Sequence, residues 1–110
     1  MAILAIQIVA LMTKLKRQNE EISINTKLWA GTIGVIEEYG WKPNGMRISY
    51  LANNKQVSED DAKNISIAAG KVVDAYMLGQ LHQRYSGRID INEVLKVAIF
   101  TRKGSFVITN

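Results

Sequence analysis

Apolar positions follow a helical rhythm over three stretches of this chain and a two-residue rhythm over shorter ones. From Thr26 to Tyr39, Trp29, Ile33 and Ile36 recur at i, i+4 and i+7, while Leu28, Val35 and Tyr39 widen the same stripe. Such a pattern predicts a helix with one buried face. Asn25 is suited to cap it, because its short side chain can accept from the first free amides. Gly31 and Gly34 each cost a helix on the order of 1 kcal/mol relative to alanine, so they are expected where another backbone packs closely. Gly40 then ends the helix and Pro43 keeps it from resuming.

Val57-Ser58-Glu59-Asp60-Asp61-Ala62 opens a second helix, with Ser58 as cap and Asp61 where a capping box usually has Glu. Three acids in the first turn suit the helix dipole. Periodicity extends this helix to about His82, with Ala62, Ile65, Ala69, Val72, Val73 and Tyr76 as its buried stripe. Gly79 is a point at which it can bend or end early, and Ile67, Leu78 and Leu81 fall away from the stripe. A third helix, started by Asp90 and Glu93, runs through Val94, Leu95, Val97, Ala98 and Phe100 and is closed by Gly104, with Arg102 and Lys103 in its last turn.

Ile48 and Tyr50 alternate with polar neighbours and predict a strand over Arg47 to Leu51; Phe106-Val107-Ile108 predicts a terminal strand. The β-branched run around residues 3–11 favours a buried strand over a helix. Lys14 to Glu21 has no apolar period beyond Leu15 and reads as an exposed connection before the alternating piece Ile22-Ser23-Ile24. The expectation is an α+β fold, a single domain over residues 1–110. Three principal helices, near 26–39, 59–82 and 91–103, pack on a small sheet built from the segments around 3–11, 47–51 and 105–109. The middle helix forms the core.

At 110 residues the chain is long enough to bury a core without staples. It has no cysteine, which excludes disulfides, thiolate metal sites and cysteine nucleophiles and makes the cytoplasm the expected location. The formal net charge of +4 is spread along the sequence rather than gathered into a basic arm. Met1 to Met12 is apolar apart from Gln7, yet shorter than the roughly 20 residues a bilayer span needs. Its cations follow the apolar run instead of preceding it, unlike a signal peptide. This segment is a strand, a helix, or a stretch upstream of a start at Met12, and no membrane association is expected.

Residues that could carry chemistry are few. His82 is the only histidine, and no companion ligand lies at helical spacing from it, so no metal and no cofactor are expected. Glu59, Asp60 and Asp61 point about 100° apart on a helix and do not converge on an ion. Glu37 and Glu38 sit in the last turn of their helix, where negative charge opposes the dipole. Either the charge is used, or a nearby cation such as Lys42 offsets it. His82-Gln83-Arg84-Tyr85-Ser86-Gly87-Arg88 joins two guanidinium groups to an aromatic ring, which suits a phosphate or a stacked base but equally describes a solvated helix end. There is no phosphate-binding loop, dinucleotide fingerprint or nucleophile elbow. Trp29 and Trp41 read as core residues, although Trp41, in a Gly-Pro loop, can offer one edge to a partner.

Leu28-Trp29, Glu38-Tyr39-Gly40-Trp41-Lys42-Pro43-Asn44-Gly45, Val57-Ser58-Glu59-Asp60-Asp61-Ala62 and Phe100-Thr101-Arg102-Lys103-Gly104-Ser105-Phe106-Val107-Ile108 together resemble a family of small uncharacterised bacterial proteins. Its marks are a Gly-Trp-x-Pro-x-Gly loop, a Val-Ser-x-x-Asp-Ala helix start and a closing Phe-x-x-x-Gly-x-Phe-x-Ile segment. The resemblance covers about residues 25–110. Met46 stands where threonine is common and Ser105 where a second glycine is common. The resemblance implies no activity and no catalytic residue.

The leading expectation is a non-catalytic protein-binding module, of immunity type or accessory to another protein, whose partner contacts include Trp41, Leu78, Leu81, Glu37 and Glu38. An apolar patch above about 400 Å² containing Trp41, Leu78 and Leu81 is the expected support. The alternative is a nucleic-acid or anion binder using Arg84, Arg88, Arg102 and Lys103. A small enzyme built on Glu37, Glu38 or His82 requires at least two of them in one pocket. The identity of the protein partner and any homo-oligomer lie beyond the sequence.

Overall fold

A computed structural model describes residues 11–110, so the strand expected around residues 3–11 falls, apart from Leu11, outside the described residues. In chain order the elements are β1 (Met12–Arg17), β2 (Glu20–Asn25), α1 (Thr26–Glu38), a 3-10 turn (Arg47–Leu51), β3 (Lys55–Val57), α2 (Glu59–Met77), a second 3-10 turn (Gln83–Tyr85), α3 (Ile91–Arg102) and β4 (Phe106–Thr109). Over the described residues the architecture is α+β, with three helices and a four-stranded antiparallel sheet in the order β2-β1-β4-β3. The inner face presents Thr13, Leu15, Ile24, Val57, Phe106 and Ile108 to the helices, all buried. Lys14, Lys16, Glu21, Ser23 and Gln56 alternate with them onto the outer face, as a half-buried antiparallel sheet requires.

The helix boundaries follow from their caps. Asn25 accepts from the amides of Lys27 and Leu28, Ser58 from Asp61, and Asp90 from Asn92 and Glu93. The α2 helix stops at Met77 instead of His82, because Gly79 adopts φ +67°. The amides of Gly79 and Gln80 then turn back to the carbonyls of Tyr76 and Ala75, a Schellman closure. Gly31 meets the close approach its position suggested: a Cβ there would lie 1.8 Å from the Arg88 carbonyl oxygen. The α2 helix packs against both other helices, and Ser66 Oγ donates to the Ala98 carbonyl of α3 at 2.6 Å.

Two segments depart from their expected conformation. Lys14 to Glu21 is not an exposed connection; it forms most of β1, the hairpin turn and the start of β2. The inward positions of β1 are Thr13, Leu15 and Arg17, so a threonine and an arginine stem stand where an apolar alternation would have been visible. Arg47 to Leu51 is a 3-10 turn and not a strand. It buries Tyr50 while leaving Ile48 67% exposed, whereas a strand would send both side chains to one face. Trp29 Nε1 donates to the Tyr50 carbonyl at 2.8 Å, and the place in the sheet goes to Lys55–Val57.

Arg17 ties the hairpin to the end of α3. Its Nη2 donates to the carbonyls of Phe100 and Gly104 at 2.8 and 2.7 Å, and its Nε to Ser105 at 3.1 Å. The guanidinium lies 4.3 Å from the Phe100 ring centroid. A cation on the last carbonyls of a helix also complements the dipole. Arg17→Ala is expected to cost about 2–3 kcal/mol of stability through charge-assisted hydrogen bonds and stacking, and Arg17→Lys to recover little, because an ammonium cannot span the same acceptors. Urea unfolding of the two variants checks this.

Candidate functional site

Trp41, the aromatic residue of the Gly-Pro loop, is buried and offers no edge to a partner. Its Nε1 donates to Asp61 Oδ1 at 2.8 Å, while the Tyr50 hydroxyl donates to Asp61 Oδ2 and accepts from the Asn44 amide at 3.0 Å. The Trp41 and Tyr50 rings meet edge to face at 4.8 Å. The Asp61 carboxylate therefore does not complete a capping box with Ser58. It joins the loop, the 3-10 turn and the start of α2 in one buried network. Burial, then the hydrogen bond to Asp61, pushes the Tyr50 phenol up to about 12. These groups are each other's partners, and the arrangement fixes architecture.

Glu37 and Glu38 do not form an open acidic contact. Arg47 Nη1 lies 3.2 Å from Glu37, and Arg84 and Arg88 lie 3.9 and 3.8 Å from Glu38. The dipole cost at the end of α1 is offset by these arginines rather than by Lys42. The two candidate sets thus meet at one residue: Glu38, expected to contact a protein, pairs with Arg84 and Arg88, expected to contact an anion, while Glu37 pairs with Arg47. Arg84 also donates to the Tyr85 hydroxyl at 2.6 Å and stacks over that ring.

The other two cations of the anion set, Arg102 and Lys103, sit at the C-terminal end of α3, a helix of 12 residues and so about 18 Å long, whereas Arg84 and Arg88 precede its start. Lys103 pairs with Glu20 at 3.1 Å. The four basic residues do not form one footprint. A separate cleft of about 550 Å³ is lined by Lys16, Arg17, Lys103 and the Gly104 turn, but Glu20, Glu21 and the carbonyls held by Arg17 already engage those cations.

His82 caps the 3-10 turn at Gln83–Tyr85, its Nδ1 accepting from the Arg84 amide at 3.0 Å. It lines a cleft of about 410 Å³ with Tyr76, Leu81, Ser86, Ile89 and Ile91. Neither Glu37 nor Glu38 reaches that cleft. Among the described residues, no group of three metal-ligating side chains occurs, and no helix is long and apolar enough to cross a membrane.

Beside this cleft, the end of α2 exposes three large apolar side chains in succession: Tyr76 at 53%, Met77 at 76% and Leu78 at 70%. Leu81 is half-buried against the core at the cleft wall. Leu78 is thus exposed, as the sequence suggested, whereas Leu81 packs against the core and Trp41 is buried. Tyr76, assigned to the buried stripe by its period, lies beyond the last core layer of α2, whose final buried residue is Val72. Tyr76 and Met77 were missed as surface residues. The available signal was Gly79, which fixes the helix end so that its last turn overhangs the core.

No family model matches this chain, and comparison with curated proteins and with solved structures finds no similar protein.

Proposed function

We propose that this chain is a non-catalytic protein-binding domain of the cytoplasm, of immunity type or accessory to another protein, whose contact surface is the overhanging end of α2 and the adjoining cleft. The observation that carries this reading is the run Tyr76-Met77-Leu78, more than half exposed at every position, in a domain that buries both tryptophans. Consecutive exposed apolar residues beside an apolar-walled concavity are costly for an isolated domain and typical of a contact surface. Methionine adapts to irregular partners, and tyrosine supplies area at low entropic cost. His82, Gln83, Asp90 and Asn92 surround the cleft as a polar rim. The mutual pairing of Glu38 with Arg84 and Arg88 leaves less free charge for a polyanion and counts against the nucleic-acid reading.

The test is affinity capture from host lysate with the wild-type chain and with the double variant Met77→Glu/Leu78→Glu, each with and without nuclease. Both side chains are exposed, so the variant is expected to keep its stability within about 0.5 kcal/mol. A stoichiometric protein held by the wild type, indifferent to nuclease and lost by the variant, is the expected result. Equal capture by the variant, or capture abolished by nuclease, contradicts the reading.

A further inference from the structure

Among the described residues, the outer edge of β2 is a second surface with unmet bonding capacity, and its geometry specifies what fits it. The β1–β2 hairpin closes through the two residues Gln18 and Asn19, with Gln18 at φ +26° and Arg17 opposite Glu20. In such a hairpin the closing pair is hydrogen-bonded and pairs alternate from there. The Thr26 amide donates to the Leu11 carbonyl at 2.9 Å, which confirms the alternation at the far end. Residues 20, 22, 24 and 26 therefore turn their main chain toward β1, and Glu21, Ser23 and Asn25 turn theirs away. Among the described residues, no strand pairs with that edge.

We infer that β2 pairs antiparallel with β2 of a second copy of this chain, about a two-fold axis at Ser23. This is a self-association surface apart from the end of α2, and it does not rest on the function proposed above. Residues directly opposite in an antiparallel pair share a face, and the free groups must meet free groups. Centring on Ser23 satisfies both conditions. Ser23 faces its own copy and exchanges two main-chain bonds, Ile22 faces the other Ile24 on the inner side, and Glu21 faces the other Asn25 on the outer side. The Asn25 amide then donates to the opposite Glu21 carbonyl, for four bonds in all.

Charge and apolar surface agree with this register. It brings the acidic start of each β2, Glu20 and Glu21, against the start of the other α1, which carries Lys27 and has no acid in its first turn. Above the edge, α3 exposes Leu95 and Ile99 at 44% and 47%, and Ile99 shares a groove with Ile22 and Phe100. Pairing the strands brings these flanks of the two α3 helices together. A six-residue edge without proline or bulge lacks two of the usual devices that prevent strand addition. The opposite edge, β3, has only three residues.

Sedimentation equilibrium over a concentration series, with amide hydrogen exchange read at single residues, tests the inference. The expected result is a monomer–dimer equilibrium in which the Ser23 and Asn25 amides gain protection together with dimer formation. Ser23→Pro removes an amide that faces solvent in the monomer, a position where an edge strand tolerates proline. With two of the four bonds lost, dimerisation should weaken roughly a hundredfold. Ile99→Glu tests the same interface through a surface residue of α3 and is expected to weaken dimerisation with an unchanged circular dichroism spectrum. A monomer at all concentrations overturns the inference, whether the Ser23 amide exchanges freely or is protected within one chain. So does a dimer in which Ser23 stays unprotected.

Discussion

Gly31→Ala is expected to lower the stability of this domain by about 3 kcal/mol, although alanine is the better helix former by roughly 1 kcal/mol. The new methyl would fall 1.8 Å from the Arg88 carbonyl oxygen, and the obstacle is backbone held by its own structure. The Arg88 amide bonds to the Tyr85 carbonyl at 3.0 Å, and Asp90, two residues on, caps α3. Relief requires α1 to move away from the segment that positions α3. Gly70→Ala is the matched control. It lies inside α2 with nothing within 4 Å of the added carbon, so it should gain roughly 0.5–1 kcal/mol. Urea unfolding of both variants should therefore give changes of opposite sign; a gain from Gly31→Ala would refute the close approach of α1 to Arg88.

The second large effect concerns the network around Asp61. Asp61→Ala removes the acceptor of the Trp41 indole and the Tyr50 hydroxyl, both on residues no more than 1% exposed. Two buried donors without partners and a small void should together cost about 3–5 kcal/mol. The same network makes stability depend on alkaline pH. The Tyr50 phenol rises from its ordinary 10.0 to about 12 on folding. The neutral phenol is thus favoured in the folded state, and its contribution is complete below pH 10.0. That contribution is lost as pH rises through about 12. Each unit of difference corresponds to about 1.4 kcal/mol. Unfolding measured across this window should show a steep alkaline loss for the wild type and a flatter one for Tyr50→Phe, which starts from lower stability at neutral pH. Parallel profiles would count against the buried phenol.

Elements whose signals were local were legible in the sequence. Asn25, Ser58 and Asp90 each form the cap their residue type suggested, because the caps are decided within one helical turn. Gly40 and Gly104 adopt the positive φ expected of helix stops. The hairpin was missed because long-range contacts decide its inner face. Arg17 is partly buried only because the end of α3, far along the chain, supplies its acceptors. Arg47–Leu51 misled for a related reason: a period-two pattern fits a strand, while the Trp29 indole claims the Tyr50 carbonyl and favours a tight turn. The network around Asp61 was hidden behind its neighbours, since three consecutive acids at a helix start are fully explained by the dipole and only the fold turns one of them inward. At the candidate site Leu78 was identified by its departure from the helical stripe. Tyr76 kept the period but lies beyond the last layer of the core, and periodicity alone does not show where a core ends.

The central claim is that the overhanging end of α2 is the surface that meets another protein. Photo-crosslinking in the host cell tests it most directly, with a benzophenone amino acid placed at Leu78 and, as control, at Lys63 on a polar part of the same helix. The account predicts a discrete adduct to one protein from position 78, unchanged by nuclease and absent from position 63. No adduct at 78, or the same adducts from both positions, would contradict it.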